Sequence, residues 1–306
     1  MLHTPVLLNE VVDLMNVKPN GIYTDATAGR GGHSKEILKR LSSSGKLICI
    51  DTDIEAIHFL KDEFKNDSRV IVLHDNFKNI KNLLKNESIK GVDGILLDLG
   101  VSSPMFDDAN RGFSYQHNVK LDMRMDQEQK LDAYFVVNKY DEKQLTSIFK
   151  KYGEINDCKN TVRAIINYRK NKTIESTNEL VEIIKKSINP KKLHLKKHPA
   201  TKYFQAIRIE VNHEIENLNL FLNEINNLLN ICGRALIISF HSLEDRMVKQ
   251  KFNYLSTVHI PKEVPIKDEK VNFKLINKKP IIATENEINN NYRSRSAKLR
   301  VIERIR

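Results

Sequence analysis

The residues best placed to do chemistry are Asp25, Gly29, Gly31, Gly32, Ser34 and Asp51. The first five lie in Asp25-Ala-Thr-Ala-Gly-Arg-Gly-Gly-His33-Ser34, between a short β-like run and an amphipathic helical pattern. Asp51 ends the next β-like run, Lys46-Leu-Ile-Cys-Ile-Asp51. Closely spaced glycines let the backbone turn tightly and approach a ligand, because no Cβ blocks the way. The helix start beyond them offers unpaired N–H groups and a partial positive charge, suited to a carboxylate or phosphate. An acid ending the following strand can hold both hydroxyls of a ribose. A nucleoside with a charged group is therefore the expected ligand; the turn alone leaves an ordinary strand-to-helix connection equally open.

Spacing separates two such cofactors. A dinucleotide site wants G-x-G-x-x-G, whose last glycine permits close packing of helix on strand. Counting from Gly29, that position holds Ser34. Asp25, ahead of the turn, would repel a pyrophosphate but suits the ammonium of an amino-acid-bearing ligand. S-adenosylmethionine is thus expected in place of NAD.

These residues need a sheet to position them. Strand patterns at Ile22 to Thr27, Lys46 to Asp51, Val70 to His74 and Gly94 to Leu99 alternate with helices beginning near His33, Ile54 and Asn79, the signature of a parallel sheet covered on both faces. A first helix is expected to be capped at Thr4-Pro5, with an apolar stripe through Val6, Leu7, Val11, Leu14 and Met15. From 107 to 205 the strand rhythm gives way to helical patterns over Glu142 to Lys151, Asn160 to Lys170 and Thr177 to Ser187. A helix over His213 to Leu229, a fifth strand over Arg234 to Ser239 and an alternating run from Ala297 to Arg304 follow. The expected organisation is a sheet domain over 1–106 and 206–306, with a helical insertion at 107–205. The stretch from Pro261 to Pro280 reads as a loop or loose hairpin.

Across 306 residues the net charge is +11, unevenly distributed. Residues 1–129 carry −3 and 203–260 carry −1, whereas 130–202 carry +9 and 261–306 carry +6. The two basic regions suggest a polyanion partner. There is no run of about 18 apolar residues and no signal-peptide pattern, so a soluble cytoplasmic protein without membrane contact is expected. Cys49, Cys158 and Cys232 lack the paired spacing of a zinc site or disulfide framework and read as buried structural cysteines.

Several blocks in order along nearly the whole chain resemble the RsmH (MraW) family of S-adenosylmethionine-dependent methyltransferases, which modify a cytidine of bacterial 16S rRNA at its exocyclic amine. They are His3-Thr-Pro-Val-Leu-Leu-Asn-Glu10, the glycine turn, Gly94-Ile-Leu-Leu-Asp-Leu-Gly-Val-Ser-Ser-Pro104, Arg111-Gly-Phe-Ser114, Leu121-Asp-Met-Arg-Met-Asp126, His198-Pro-Ala-Thr201 with Phe204-Gln-Ala-Ile-Arg-Ile-Glu-Val-Asn212, and Ser239-Phe-His-Ser-Leu-Glu-Asp-Arg246. The resemblance implies a class I methyltransferase fold, α/β and Rossmann-like with a mostly parallel sheet, carrying an inserted all-helical domain. It implies 16S rRNA, in its decoding region and within the small ribosomal subunit, as partner. Cofactor contacts are implied for Gly31, Gly32, His33, Asp51, Phe77 and Asp98. Where the family commonly has Gln after Ser-Ser-Pro, this chain has Met105, so any contact there must use backbone or apolar surface. An inactive RNA-binding protein on the same fold and a DNA amino-methyltransferase are the competing readings.

A cytosine amine is a poor nucleophile because its lone pair is delocalised into the ring. Acceptors on its hydrogens and in-line placement would activate it, with no need of a metal. Asp98, Ser102 and Ser103 are candidates to hold the amine, although Asp98 could equally hold the cofactor and the serines could cap a turn. His241 could take the released proton, or be structural at a strand end. Arg124, between Asp122 and Asp126, reads as an ion-pair knot in preference to a phosphate contact. The runs Lys191 to His198 and Arg293-Ser-Arg295 with Lys298 and Arg300 are candidates to follow an RNA backbone.

Overall fold

The computed structural model describes residues 5–190, 198–258 and 271–306. The chain divides into two compact units, 1–100 with 215–306 and 101–214. In order, the first unit begins with α1 (Leu8–Met15), β1 (Ile22–Asp25), α2 (Gly32–Lys39), β2 (Lys46–Asp51), α3 (Ile54–Glu63), β3 (Val70–His74), α4 (Ile80–Asn86) and β4 (Val92–Asp98). The second holds α5 (Ser103–Asp107), α6 (Ala133–Lys139), α7 (Glu142–Lys151), α8 (Lys159–Tyr168), α9 (Thr177–Ser187) and α10 (Ala200–Asn212). The chain then returns through α11 (Glu214–Leu228), β5 (Leu229–Ser239), α12 (Ser242–Leu255), β6 (Phe273–Leu275), α13 (Glu285–Asn290) and β7 (Lys298–Arg304).

The seven strands form one sheet in the order β3-β2-β1-β4-β5-β7-β6. Strands β1 to β5 pair in parallel, and β7 runs antiparallel between β5 and β6. This is the mostly parallel sheet expected from the alternating pattern. Side chains alternate in facing along each strand. Ile48 and Ile50 of β2, Ile95 and Leu97 of β4, and Ala235 and Ile237 of β5 pack on one face with Leu84 of α4, Phe221 of α11 and Phe252 of α12. Leu47, Cys49, Leu96, Leu236 and Ile238 pack on the other with Met15 of α1 and Ile37 of α2. Both faces are covered, which explains strands that read as nearly continuous apolar runs. Gly94 interrupts β4 because a Cβ there would meet the Tyr23 ring at 2.7 Å. Strand order reverses between β1 and β4, so the connections leaving their carboxyl ends diverge and open a crevice, the usual ligand position in such sheets.

The helical unit has its own core, with Val136, Phe149, Val162, Ile184 and Phe204 from α6 to α10 at its centre. Its helices start where the sequence supplies caps. Asp141 with Gln144 opens α7 and Ser176 with Glu179 opens α9, each as a reciprocal capping box. Asp122 and Arg124 form the expected ion-pair knot, Nη2 to Oδ2 at 2.7 Å, with Nη1 donating to the Gln127 and Gln129 carbonyls.

Four expectations change. Helix α1 starts at Leu8, later than Pro5, because Leu7 adopts a left-handed conformation (φ 52°) and the Val6 carbonyl is taken by His33; Thr4 lies outside the described residues. Cys49 and Cys158 are buried, but Cys232 is exposed at φ 65°, where β5 is irregular opposite Val92 and Gly94. The stretch from Pro261 to Pro280 contains strand β6, while its first part, like Lys191 to Lys197, lies outside the described residues. Arg300 is only 7% exposed and donates through Nε to Asp245 Oδ1 at 2.7 Å, with Lys298 Nζ 3.2 Å from Oδ2. Strand β7 thus directs these two cations onto Asp245 of α12. Among the described residues, no helix is long and apolar enough to cross a membrane.

Candidate active site

Three acids end three adjacent strands beside the crevice: Asp25 on β1, Asp51 on β2 and Asp98 on β4. The glycine turn brings them under control of the backbone. Gly29 and Gly31 have φ of 52° and 72°, values that side-chain-bearing residues rarely adopt. The Gly29 N–H donates to Asp51 Oδ2 at 2.7 Å and the Asp53 N–H to Oδ1 at 2.8 Å, so the carboxylate is held from both sides. Each oxygen keeps a further lone pair for a ribose hydroxyl.

The glycines do different work. A Cβ on Gly29 would meet nothing within 4 Å, which leaves open space at the turn for a ligand. A Cβ on Gly31 would reach Leu60 at 3.0 Å, and one on Gly32 would stand 2.3 Å from Pro5 Cγ. A side chain at position 32 is therefore excluded by the close packing of Pro5. Gly32→Ala should displace Pro5 and cost about 1–3 kcal/mol of stability, read from chemical denaturation; a cost within error would mean that the segment shifts freely.

Ser34, read from sequence only as a departure from a dinucleotide motif, donates to Asp25 Oδ2 at 2.7 Å and in turn receives Cys49 Sγ at 3.4 Å. Asp25 is 1% exposed, and its Oδ1 has no hydrogen-bond partner. Asp98 receives no donor at Oδ1 either, while its backbone N–H donates to Thr27 Oγ1 at 2.7 Å. Burial pushes the Asp25 and Asp51 carboxyls up to about 6, against hydrogen bonds that oppose the shift. Burial, then the charges of Asp25 and Glu244, push Asp98 well above the ordinary carboxylate range.

His33 is 6% exposed; its Nε2–H donates to the Val6 carbonyl at 2.9 Å, and Nδ1 lies 3.9 Å from Asp98 Oδ2. Burial lowers its pKa to about 4, so the ring is neutral. That contact ties the N-terminal segment to the acids. Sequence reasoning missed it by placing Val6 in a helix, where its carbonyl would have bonded along the chain. Phe77 opens a single 3-10 turn after β3, half-buried, its ring edge-on to Phe221 at 6.1 Å.

The remaining candidates have local duties. Ser102 caps α5, its hydroxyl accepting from the Met105 N–H at 3.4 Å. Ser103 begins that helix, its side chain outside the described residues. Met105 is 5% exposed, its side chain spent on the helical core. His241 caps α12: Nδ1 accepts from the Glu244 N–H at 3.4 Å, and Nε2 lies 3.1 Å from Glu244 Oε1. Its one basic nitrogen is thus engaged, and taking a proton there would forfeit the cap.

Buried carboxylate oxygens without donors are costly unless a ligand supplies charge or hydrogen bonds. S-adenosylmethionine fits this set: it brings an ammonium and a sulfonium to Asp25 and Asp98, each with one buried oxygen that lacks a donor, and a ribose to a fixed Asp51.

The MraW methylase family profile matches residues 1–305. Ribosomal RNA small subunit methyltransferase H of Ureaplasma parvum serovar 3 is 53% identical over 298 residues, spanning 97% of this chain and 96% of the relative. The proteins of the same name from Clostridioides difficile and Malacoplasma penetrans are each 48% identical, covering 99% of this chain and 99% and 97% of their own lengths. With a match over nearly the full length and a turn whose acids suit a cationic nucleoside, the chain belongs to the MraW methylase family.

Proposed function

We propose that the protein transfers the methyl group of S-adenosylmethionine to the exocyclic N4 amine of a cytidine in the decoding region of 16S rRNA, with the small ribosomal subunit as its substrate and the cytoplasm as its place of action. The observation that carries this reading is 53% identity, over 97% of the chain, to a relative named for methylating small-subunit rRNA. When bound, the cofactor supplies an activated methyl on a sulfonium. The protein's part is orientation and charge. Asp51 receives the ribose, Asp25 faces the amino-acid end, and Phe77 packs near the adenine. Gly31, Gly32 and His33 shape the wall of the cofactor site. Asp98, at the switch point of the sheet, is placed to accept from the target amine. The amine held at Asp98 would be aimed at the methyl in line with the sulfonium. The amine proton then passes to solvent, because His241 is committed to its cap. The net charges of +9 over 130–202 and +6 over 261–306 support a polyanion such as RNA as partner.

Small subunits lacking the mark, incubated with labelled S-adenosylmethionine, should acquire label on one cytidine of 16S rRNA. Tight subunit binding without incorporation would identify an inactive assembly protein. Preference for duplex DNA in competition would identify a DNA enzyme.

A further inference from the structure

Lys298 and Arg300 pair with Asp245, and earlier in the C-terminal basic run Arg295 is exposed beside an exposed tyrosine. Both lie in the 3-10 turn Tyr292–Ser296 that joins α13 to β7. The turn is firmly built. Ser294 is fully buried, its hydroxyl donating to the Asn291 carbonyl at 2.7 Å, and the Asn291 side chain accepts from the Arg293 N–H at 3.2 Å. From this support Tyr292 projects its ring, 66% exposed, with the Arg295 guanidinium 4.4 Å from the ring centroid. An aromatic ring so exposed, layered with a planar cation, offers a flat π surface and positive charge together.

The turn is also tied to the cofactor site. Glu287 of α13 accepts the Leu7 N–H at 2.7 Å, the neighbouring Val6 carbonyl accepts from His33 at 2.9 Å, and His33 faces Asp98. These links hold the platform and the acids in one framework within the sheet unit.

We propose that Tyr292 and Arg295 form a stacking platform for an unpaired base of the RNA substrate, with the charge of Arg295 serving the adjoining phosphate. The proposal deepens the reading of the protein as an rRNA methyltransferase and rests on it. Single-stranded RNA is the partner whose chemistry fits. Its unstacked bases lie on tyrosine rings and guanidinium planes irrespective of base identity, and its phosphates seek arginine. A duplex keeps its bases stacked on one another and cannot use the ring. A target base that must leave its stack to be methylated is flanked by a strand open to such capture.

The test measures methylation of small subunits lacking the mark, together with binding of an unpaired oligocytidylate RNA. Tyr292→Ala should raise KM for subunits and weaken oligocytidylate binding about tenfold, with S-adenosylmethionine affinity and melting temperature unchanged. Tyr292→Phe, which keeps the ring, should behave as wild type. Arg295→Ala should weaken both and lower the salt dependence of binding by about one phosphate contact, whereas Tyr292→Ala should leave that dependence intact. An unchanged KM for Tyr292→Ala in an enzyme that methylates subunits would overturn the proposal. Loss confined to subunits, with oligocytidylate binding unaffected, would overturn it in favour of a protein contact. Failure of the wild-type chain to methylate subunits would instead reject the functional reading.

Discussion

Asp98→Asn is expected to slow methyl transfer about 10²–10³-fold, the usual effect of removing one preorganised electrostatic partner from a reacting group, and at the same time to raise the melting temperature of the ligand-free protein. The two effects share one cause. Asp98 lies at the carboxyl end of β4 with Oδ1 buried and lacking a donor, near the like charges of Asp25 and Glu244. Burial and those charges favour its protonated form, so the folded protein holds this proton at pH values where the unfolded chain has released it. Stability therefore falls as pH rises above about 4 toward the raised pKa. The amide removes that cost, and the gain, about 1 kcal/mol at neutral pH, should vanish in acid. His33, lowered to about 4, has the opposite dependence, losing stability as pH falls below about 6.5; it is present in both proteins, so their difference reads Asp98 together with its contact to His33. Melting curves across pH and single-turnover methylation of subunits check the pair. An Asn variant that is both active and no more stable would remove Asp98 from the centre of the site.

Loss of Arg300 should be the most damaging change among the basic residues, costing about 3–5 kcal/mol as Arg300→Ala. Its guanidinium is buried against Asp245, and truncation leaves that carboxylate paired with the half-exposed Lys298 in a half-dry site. Burial pushes Asp245 up, but the Arg300 and Lys298 hydrogen bonds prevail and hold it below the ordinary carboxylate range. The pair's contribution is present above about pH 4 and is lost as Asp245 takes its proton at lower pH. Urea titrations at neutral and acid pH should therefore show a penalty that shrinks in acid. The double variant Asp245→Asn with Arg300→Met should lose less than Arg300→Ala alone. Equal losses would mean that the arginine acts through packing.

Much of this molecule is legible in its sequence, for identifiable reasons. The bounds of β2, β3, α7 and α9 are expected as found because a terminal acid, a cap or a run of β-branched residues marks each one. Asp25 and Asp51 are recognisable as candidate site residues because an acid at a strand's end beside a glycine turn has few structural duties. The misreadings concern partners far along the chain. Apolar spacing made Val6 and Leu7 look helical, and nothing local announces that His33 and Glu287 will claim their backbone groups. The alternation from Ala297 to Arg304 predicts a strand correctly, yet cannot say that its charged side will be roofed by α12 and neutralised by Asp245. Ser34 was an absence in one motif and became a donor only once the fold placed it over Asp25.

The position of the helical unit in the chain has a consequence for how the protein is made. Strand β4 ends at Asp98 and its neighbour β5 begins at Leu229, so all of α5 to α10 is synthesised between two strands that lie side by side. Until β5 emerges from the ribosome, the edge of β4 carrying Ile95, Leu96 and Leu97 is a bare template for pairing with the wrong chain. A helical unit with its own core, made largely of local contacts, can fold during that interval and shorten the loop left to close. The time spent in that exposed state, more than the depth of the final energy well, would then govern how much of the newly made chain escapes aggregation.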